Sequence, residues 1–355
     1  MYYTAEEYFK NKFDATYRPF AFRAQSSKEY TKWKKDFKPL LERLLGFQNM
    51  SFCDPDIAIL SFEDMGDYTR EKLLITTEPG IKMPFYLLKP KHVALKEKFP
   101  IMIAPHGHES NGKNAVCGND MGSQEIKNTI RKYNYDYGIQ FVKEGFIVFC
   151  PDARGFGERA EKYTQNQQSL LESSCAYLNA MAYPLGLNVT GMWTWDLMRL
   201  LDYALTRNDV DVSRINCAGL SGGGLQTLWF GAMDERVKTM IISGYFYGYK
   251  QSILEEHHCS CNYVPELWNY ADIGDVAALL ANRNVFIETG DKDEINGREG
   301  LRNVTSQVEI VKGAARLLDN QKNVTHHVFS GPHKWCGKEA VPWITHINFK
   351  EALPR

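Results

Sequence analysis

A serine lies within a glycine-rich segment, Gly219-Leu220-Ser221-Gly222-Gly223-Gly224, that fits the pattern G-x-S-x-G. The apolar run 215–219 predicts a strand before it, and the apolar spacing from Leu225 onward predicts a helix after it. A sharp strand-to-helix turn strains the serine backbone and directs the N–H groups of the helix towards the serine, as in an activated nucleophile. The glycines at 219 and 223 permit the close backbone approach of such a turn. Ser221 is therefore the candidate nucleophile.

Glycine-rich turns also bind phosphate groups, so 219–224 could instead be a phosphate-binding loop. The segment 219–224 lacks the Lys-Ser/Thr pair of a nucleoside-triphosphate loop, and it does not fit the dinucleotide pattern G-x-G-x-x-G. A nucleophilic serine remains the better interpretation.

A nucleophilic serine needs a general base, and histidine is the usual one. His333 is best placed, because Ser330-Gly331-Pro332 forms a turn after the last predicted strand, 324–329. His326 and His327 lie within that strand and His346 lies near the C-terminus, so we interpret these three as structural.

The base in turn needs a carboxylate that orients it. The predicted strand 284–289 is followed by an acidic turn in which Asp291, Asp293 and Glu294 all qualify by position. The order along the chain is serine, acid, histidine, which is the order of α/β hydrolases. From position alone the choice among the three acids stays open.

The loop after the predicted strand 99–104 is expected to complete an oxyanion hole. It reads Pro105-His106-Gly107-His108-Glu109, and the backbone N–H of His108 or of Gly107 would act together with that of Gly222. His106 and His108 could instead be metal ligands, but the sequence offers no convincing third ligand beside them.

The segment His257-His258-Cys259-Ser260-Cys261-Asn262-Tyr263 combines residue types that bind zinc. Its two cysteines are closer in sequence than is usual for a zinc site, and no second Cys/His pair is obvious nearby. A disulfide between Cys259 and Cys261 would be strained. We interpret the segment as a wall near the site and expect neither a metal nor a cofactor. The aromatic residues of 244–249 are expected to line the substrate pocket or to pack in the core.

Arg154 follows a predicted strand and allows two interpretations. A cation at a strand end binds an anionic substrate well. The alternative is a structural arginine bound to backbone carbonyls or to an acid such as Asp196, and we favour it.

The elements that must position these residues alternate between strand and helix from about residue 70 onward. An antiparallel hairpin, 72–77 with 81–88, is predicted first, and a mostly parallel sheet with helices on both faces follows. Residues 1–68 are predicted as an N-terminal helical extension packed on the core, and residues 69–355 as the catalytic domain. The long segments 108–135, 155–190 and 245–275 are expected to be lids or binding loops.

The composition of the chain argues against several classes of protein. The 355 residues include 42 Lys and Arg against 43 Asp and Glu, so the net charge of −1 gives no electrostatic case for a nucleic-acid or membrane partner. No apolar stretch is long enough to span a membrane, and the first residues do not resemble a signal peptide. Eight scattered cysteines favour reduced thiols, so a cytoplasmic location is expected.

Taken in order, these motifs resemble those of the α/β-hydrolase superfamily over roughly residues 70–347, and especially the bacterial acetyl xylan esterase and dienelactone hydrolase-like esterases. The motifs that carry the resemblance are His106-Gly107-His108, Asp152 to Gly157, Gly191 to Asp202, Gly219 to Gly224, Gly290 to Asp293 and Gly331-Pro332-His333. The resemblance implies that the acid is Asp293, the last residue of its Gly-x-x-Asp turn, with Asp291 as the second choice. It also implies that Ser221 attacks an ester carbonyl and forms an acyl-enzyme.

The expected function is therefore a serine carboxylic-ester hydrolase acting on short acyl esters, with Ser221, His333 and Asp293 as the triad and Gly222 and His108 as oxyanion donors. By resemblance, an acetylated oligosaccharide is a plausible substrate. The alternatives are a peptidase of the prolyl-oligopeptidase type, whose β-propeller domain this length cannot accommodate, and a non-catalytic binding protein. A homo-oligomer is compatible with the sequence.

Overall fold

A computed structural model describes residues 3–91, 98–162 and 169–349, and a sheet of strands lies at its centre. These strands are numbered in chain order. In chain order they are β1 (Ala58–Asp64), β2 (Tyr68–Glu78), β3 (Ile81–Pro90), β4 (Phe99–Ile103), β5 (Ile147–Pro151), β6 (Val210–Leu220), β7 (Thr239–Ser243), β8 (Asn284–Gly290) and β9 (Val324–Phe329). They form one nine-stranded sheet in the order β1-β2-β3-β5-β4-β6-β7-β8-β9.

The sheet is mostly parallel, as predicted. The strands from β5 through β4 and β6 to β9 pair in parallel, whereas β1, β2 and β3 pair antiparallel and β3 joins β5 antiparallel. The predicted hairpin is confirmed as β2 and β3, which are joined at Pro79-Gly80. The edge strand β1 was not predicted, because nearly all of its residues are exposed and it lacks the alternation of a half-buried strand.

Helices cover both faces of this sheet. In chain order they are α1 (Glu6–Ala15), α2 (Ser27–Leu44), α3 (Lys113–Val116), α4 (Gln124–Tyr133), α5 (Tyr137–Lys143), α6 (Cys175–Ala182), α7 (Val189–Ala204), α8 (Gly222–Met233), α9 (Ile273–Ala278), α10 (Leu301–Arg316) and α11 (Ala340–Phe349). Within the described ranges, no helix is both long enough and apolar enough to cross a membrane.

The core consists of two apolar layers, one on each face of the sheet. Successive residues of a central strand enter opposite layers. Ile101 and Ile103 of β4 belong to the layer that also contains buried residues of α7, α8 and α10, whereas Met102 belongs to the layer that contains buried residues of α5 and α11. All of these strand residues are fully buried. Coverage of both faces explains why the parallel strands are continuous apolar runs in the sequence.

The N-terminal helices pack on this core. Tyr30, Phe37 and Leu41 of α2 are buried, and the Tyr30 hydroxyl donates a hydrogen bond to the carbonyl of Ala278 in α9. The predicted boundary at residue 68 remains a prediction. It lies between β1 and β2, which pair within the same sheet.

The long segments that sequence patterns left irregular contain short helices. Helices α3 and α4 lie within 108–135, and α6 lies within 155–190. Short helices of this kind fall below the length at which hydrophobic periodicity is readable. In the chain, 108–135 follows β4, 155–190 follows β5 and 245–275 follows β7. Each segment therefore comes after the carboxyl end of a parallel strand, where α/β sheets form their sites.

Candidate active site

Ser221 occupies the turn between β6 and α8, as the sequence predicts. Its backbone has φ of 59° and ψ of −120°, a strained conformation for a residue with a side chain. The turn is held from the neighbouring strand, because the Ser221 N–H donates a 2.9 Å hydrogen bond to the carbonyl of Ser243 at the end of β7. The serine therefore sits directly at the N-terminus of a twelve-residue helix.

Only glycine fits at positions 219 and 223 beside Ser221, because a side chain there would clash with neighbouring backbone atoms. A Cβ at Gly219 would lie 2.5 Å from the backbone of Gly223, and a Cβ at Gly223 would lie 2.3 Å from the carbonyl oxygen of Pro105. Real side chains do not tolerate such contacts. The same approach that excludes them brings the loop after β4 against the first turn of α8.

His333 and Asp293 form a hydrogen-bonded pair next to this turn. The Nδ1 of His333 lies 2.6 Å from Oδ2 of Asp293, whose other oxygen accepts the N–H of Ile295 at 2.9 Å. Asp293 follows β8 and His333 follows β9, so adjacent parallel strands bring together residues that are 40 positions apart.

The other two acids of the predicted turn lie elsewhere. Asp291 accepts the backbone N–H of Gly331 at 2.8 Å, so it holds the loop that carries His333 without touching the imidazole ring. Glu294 is exposed. Of the three acids that position alone left open, the structure brings Asp293 to the histidine.

A buried glutamate that the sequence interpretation overlooked connects these parts. Glu288 of β8 is fully buried and accepts the hydroxyl of Ser243 at 2.8 Å, together with the backbone N–H groups of Cys336 and Gly337 at 2.9 Å each. Burial raises its pKa above the ordinary value, although these hydrogen bonds oppose the rise. A charged residue inside an apolar strand was the signal that could have found it.

His106 is held within the loop after β4. Its Nε2 accepts the N–H of Ala153 at 3.0 Å, and its Nδ1 lies 2.8 Å from the carbonyl oxygen of Gly107 and 3.0 Å from Oγ of Ser110. Burial lowers its pKa to about 4, so the ring is neutral near pH 7. Both ring nitrogens are engaged, which leaves His106 unsuited to bind a metal.

His108 lies against the serine turn and opposite a cysteine. A Cβ built on Gly222 would lie 2.9 Å from Nδ1 of His108, and the Nε2 of His108 lies 3.2 Å from Sγ of Cys261. The Tyr135 hydroxyl donates a 2.6 Å hydrogen bond to the His108 carbonyl. The backbone at 108 is therefore fixed beside Gly222, the two positions from which oxyanion donors were predicted.

Ser221 and His333 face a common cavity of about 270 Å³. This volume is at the lower end for small-molecule sites. The remaining wall is aromatic and polar, and no lysine or arginine lines it within the described residues. The lining residues are His108, Glu109, Tyr133, Tyr135, Ser221, Gly222, Tyr245, Tyr247, His257, His258, Cys259, Asn262, Ile295 and His333.

The segment predicted as a wall near the site does line this cavity through His257, His258, Cys259 and Asn262. From the aromatic run 244–249, Tyr245 and Tyr247 also reach it. Both tyrosine side chains are nearly completely buried, and burial raises their pKa well above the ordinary value.

Arg154 is structural, as favoured from the sequence. Its guanidinium binds both carboxylate oxygens of Asp196 at 3.0 and 2.8 Å and contacts Glu78 at 2.6 Å. Burial alone would raise the pKa of Asp196, but Arg154 and Arg159 lower it to about 2. The predicted partner, Asp196, is thereby confirmed.

The three histidines interpreted as structural lie outside the lining of the cavity. His326 of β9 places Nε2 3.1 Å from Oγ1 of Thr289, and burial lowers its pKa to about 4. The ring of His327 lies tilted against that of Phe286, with ring centroids 6.2 Å apart, and His346 lies in α11.

The comparison with protein families extends over most of the chain. The model of the Abhydrolase family matches residues 9–330, which include most of α1, all of α2 and every strand of the sheet. The match begins well before residue 70, where the motif resemblance begins, and ends at residue 330, just before His333.

Individual relatives are distant in sequence. The YtaP protein of Bacillus subtilis (strain 168) is 24% identical over 281 residues, which cover 76% of this chain and 86% of YtaP.

Solved structures share the fold more clearly than the sequence. A Bacteroides fragilis NCTC 9343 protein described as an acetyl xylan esterase superposes with a TM-score of 0.81 at 17% identity, covering 98% of this chain and 95% of its own. A glucuronoyl esterase from Solibacter usitatus has a TM-score of 0.61 at 16% identity, covering 93% and 98%. The acetyl xylan esterase from Paenibacillus sp. R4 has a TM-score of 0.56 at 16% identity, covering 96% and 99%. The extent of the family match and the shared sheet lead to one assignment: the chain is an α/β hydrolase that belongs to the Abhydrolase family.

Proposed function

We propose that the protein is a serine carboxylic-ester hydrolase that acts on short acyl esters. The observation that carries the proposal is the shared cavity: strained Ser221 and the Asp293-bound His333 both face it. A hydroxyl, an imidazole and a buried carboxylate in this relation are the parts of an acyl-transfer triad.

The first half of the reaction transfers the acyl group to Ser221. Ser221 Oγ attacks the ester carbonyl carbon while its proton passes to Nε2 of His333, and Asp293 holds Nδ1 so that Nε2 is the basic nitrogen. The N–H groups of Gly222 and His108 donate hydrogen bonds to the oxyanion that develops on the carbonyl oxygen. The C–O bond to the alcohol then breaks, and the alcohol leaves with the proton from His333.

Water completes the cycle. His333 accepts a proton from water as the water oxygen attacks the acyl carbon, and the bond to Ser221 Oγ breaks with return of that proton to the serine. The products are one alcohol and one carboxylic acid. The triad itself needs no metal or cofactor for these steps.

The cavity supports the choice of short acyl groups. About 270 Å³ holds a small acyl group with part of an alcohol, and the polar rim of Glu109, His258 and Asn262 offers hydrogen bonds to hydroxyl groups. A sugar alcohol fits such a rim, and several structurally similar proteins are named as acetyl xylan esterases or glucuronoyl esterases. Acetylated oligosaccharides are the substrates we propose to try first.

The test is hydrolysis of p-nitrophenyl acetate, butyrate and octanoate beside acetylated xylo-oligosaccharides, with Ser221→Ala as the blank and Ser51→Ala as a control. Ser51 is an exposed serine outside the cavity. We expect acetate to be preferred, and Ser221→Ala to lose activity by about 10³-fold or more, because residual catalysis then relies on binding and the oxyanion hole.

Labelling by a fluorophosphonate probe separates the alternatives. A Ser221-dependent label with ester turnover supports the proposal, and turnover of peptide amides in preference to esters would indicate a peptidase. An unlabelled, inactive wild-type protein would indicate a binding role for the fold. Ester hydrolysis that survives Ser221→Ala would refute the assigned nucleophile.

A further inference from the structure

Four metal-binding side chains from three separate segments meet in the wall of the cavity. His108 comes from the loop after β4, Cys175 is the first residue of α6, and Cys259 and Cys261 lie near the short turn after β7. The ring nitrogen of His108 and the three sulfur atoms all lie within 4.8 Å of one another. We call these four residues the Cys3His cluster.

The spacing matches a known coordination geometry. In a tetrahedral zinc site with Zn–S bonds of about 2.3 Å and Zn–N bonds of about 2.0 Å, ligand atoms lie roughly 3.5–3.8 Å apart. The Nε2 of His108 and Sγ of Cys261 are 3.2 Å apart, and the remaining pairs stay within the 4.8 Å limit. We propose that His108, Cys175, Cys259 and Cys261 bind one Zn²⁺ ion as a tetrahedral Cys3His site.

The surroundings of the sulfur atoms also suit thiolate ligands. The Asn262 amide nitrogen lies 3.7 Å from Sγ of Cys261, and the Ser173 hydroxyl lies 3.9 Å from Sγ of Cys259. Donors at these positions stabilise negative charge on sulfur and orient the ligand. Sulfur-rich sets with one imidazole select zinc over harder ions such as magnesium or calcium.

The histidine is oriented for this role. Its Nε2 faces the sulfur atoms, whereas its Nδ1 faces Gly222, where a Cβ would lie only 2.9 Å away. The ring thus has little freedom to turn. His108 and Cys259 also line the open cavity, which provides an entry path for the ion.

This site reverses the expectation of no metal drawn from the sequence. The spacing of Cys259 and Cys261 counted against zinc because a second pair was missing nearby. The fold supplies that pair from Cys175 and His108, which lie 86 and 153 positions from Cys261 along the chain. Neither position could be assigned by linear spacing.

A fully ligated ion would be structural. Four protein ligands leave no open position for water, unlike a catalytic zinc site. The ion would fasten the backbone at His108 to α6 and to the 259–261 turn. Its effect on catalysis, but not its existence, depends on the proposed function, in which His108 donates to the oxyanion.

The first experiment measures metal in the full-length protein purified without chelator and with added ZnSO₄. We expect about one zinc per chain by mass spectrometry of the metal, and a tetrahedral thiolate spectrum after replacement of zinc by Co²⁺. Cys175→Ser and Cys261→Ser should each lose stoichiometric zinc. Cys53→Ser and Cys117→Ser, outside the cluster, should retain it.

Two further measurements keep the result interpretable if a serine variant folds poorly. X-ray absorption of the zinc-loaded wild-type protein should give three sulfur neighbours and one nitrogen neighbour. The intact mass under non-reducing conditions should show all thiols reduced once the metal is removed. A wild-type protein that takes up no zinc while its thiols are reduced, or that joins two cluster cysteines in a disulfide, overturns the proposal.

The Ser221→Ala variant separates this proposal from the enzymatic one. It lacks the nucleophile but keeps all four ligands, so it should bind zinc as the wild-type protein does. In the wild-type protein, zinc binding without ester turnover would support the site and refute the proposed function. Ester turnover in a protein that binds no zinc does the reverse.

Discussion

The Nδ1 of His333 lies 2.6 Å from Oδ2 of Asp293, across the carboxyl ends of the adjacent strands β8 and β9. The aspartate side chain is 1% exposed and the histidine side chain 18% exposed. The carboxylate is thus sealed from water, whereas the ring keeps one edge open towards the cavity. In the proposed reaction, that arrangement leaves Nε2 as the imidazole nitrogen that accepts the proton of Ser221.

Asp293→Asn is expected to lower kcat by about 10³ to 10⁴-fold, because an amide at this position no longer selects the productive imidazole tautomer. Asp291→Asn is the matched variant. Its remaining amide oxygen can still accept the Gly331 N–H, so a loss below about tenfold is expected. Steady-state hydrolysis of p-nitrophenyl acetate measures both. Equal losses in the two variants would contradict the assignment of Asp293.

Glu288 joins Ser243, whose carbonyl holds the Ser221 turn, to the loop just after His333, and its loss should disturb both. Glu288→Ala leaves a buried hydroxyl and two buried N–H groups without an acceptor, so a destabilisation of about 3 kcal/mol is expected. Glu288→Gln keeps Oε1, which accepts two of these three donors, so about half of that loss is expected. Urea unfolding at pH 7 measures the free energy of unfolding.

A purely structural role for Glu288 would change stability alone. As a positioning residue it should also lower kcat more than it raises KM, with partial rescue in Glu288→Gln, because the His333 loop shifts relative to Ser221. Glu309→Gln on the exposed face of α10 is the control, and its free energy of unfolding should change by less than about 0.5 kcal/mol. Unchanged kcat in a folded Glu288→Ala protein would contradict the positioning role.

Much of this architecture is readable from the sequence for a physical reason. The parallel strands are buried on both faces and appear as apolar runs, and the turn at Ser221 admits only glycine at 219 and 223. Local sterics and burial therefore mark the fold and the strained turn at Ser221 directly. Asp293 was reachable by position, although the choice over Asp291 needed the hydrogen bond itself.

The parts that were missed depend on contacts between distant segments. The strand β1 is exposed and pairs by backbone hydrogen bonds, so it leaves little hydrophobic pattern. Cys175 carries no spacing signal that links it to Cys261, because the fold alone brings α6 to the 259–261 turn. Glu288 is the intermediate case, since a charge inside an apolar strand marks an unusual position but not its partners.

Tyr247 is expected to limit the length of the acyl group. It is 3% exposed and lines the small cavity with Ser221 and His333. Tyr247→Leu removes part of that wall, so the ratio of kcat/KM for p-nitrophenyl butyrate to that for the acetate should rise about tenfold, the usual effect of one or two methylenes in an apolar pocket.

The control for this variant is Tyr17→Leu, at a tyrosine that is 73% exposed in the N-terminal segment. The same chain-length ratio as in the wild-type protein is expected there. A folded Tyr247→Leu protein with an unchanged ratio would show that the acyl group binds away from this wall.

Asp196 forms buried ion pairs with two arginines. Asp196 accepts hydrogen bonds from Arg154 at 2.8 and 3.0 Å and from Arg159 at 2.8 Å, and its side chain is 2% exposed. Asp196→Asn would leave two buried guanidinium groups short of their counter-charge, so a destabilisation of about 3–5 kcal/mol is expected. The matched control is Asp202→Asn, which removes a carboxylate that is 42% exposed and should cost no more than about 1 kcal/mol.

The loss of unfolding free energy in Asp196→Asn should depend on pH, in the direction set by the pKa shift of Asp196. In the folded protein the pKa of Asp196 is lowered from 3.8 to about 2, because Arg154 and Arg159 outweigh the opposing effect of burial. The stabilisation is therefore fully present above pH 3.8 and is lost as the pH falls through about 2. Urea unfolding measures the free energy of unfolding of the wild-type and Asp196→Asn proteins. The difference between the two free energies should be constant from pH 5 to 8 and should decrease below about pH 4. A free-energy difference between the two proteins that increases as the pH falls would contradict the ion-pair interpretation.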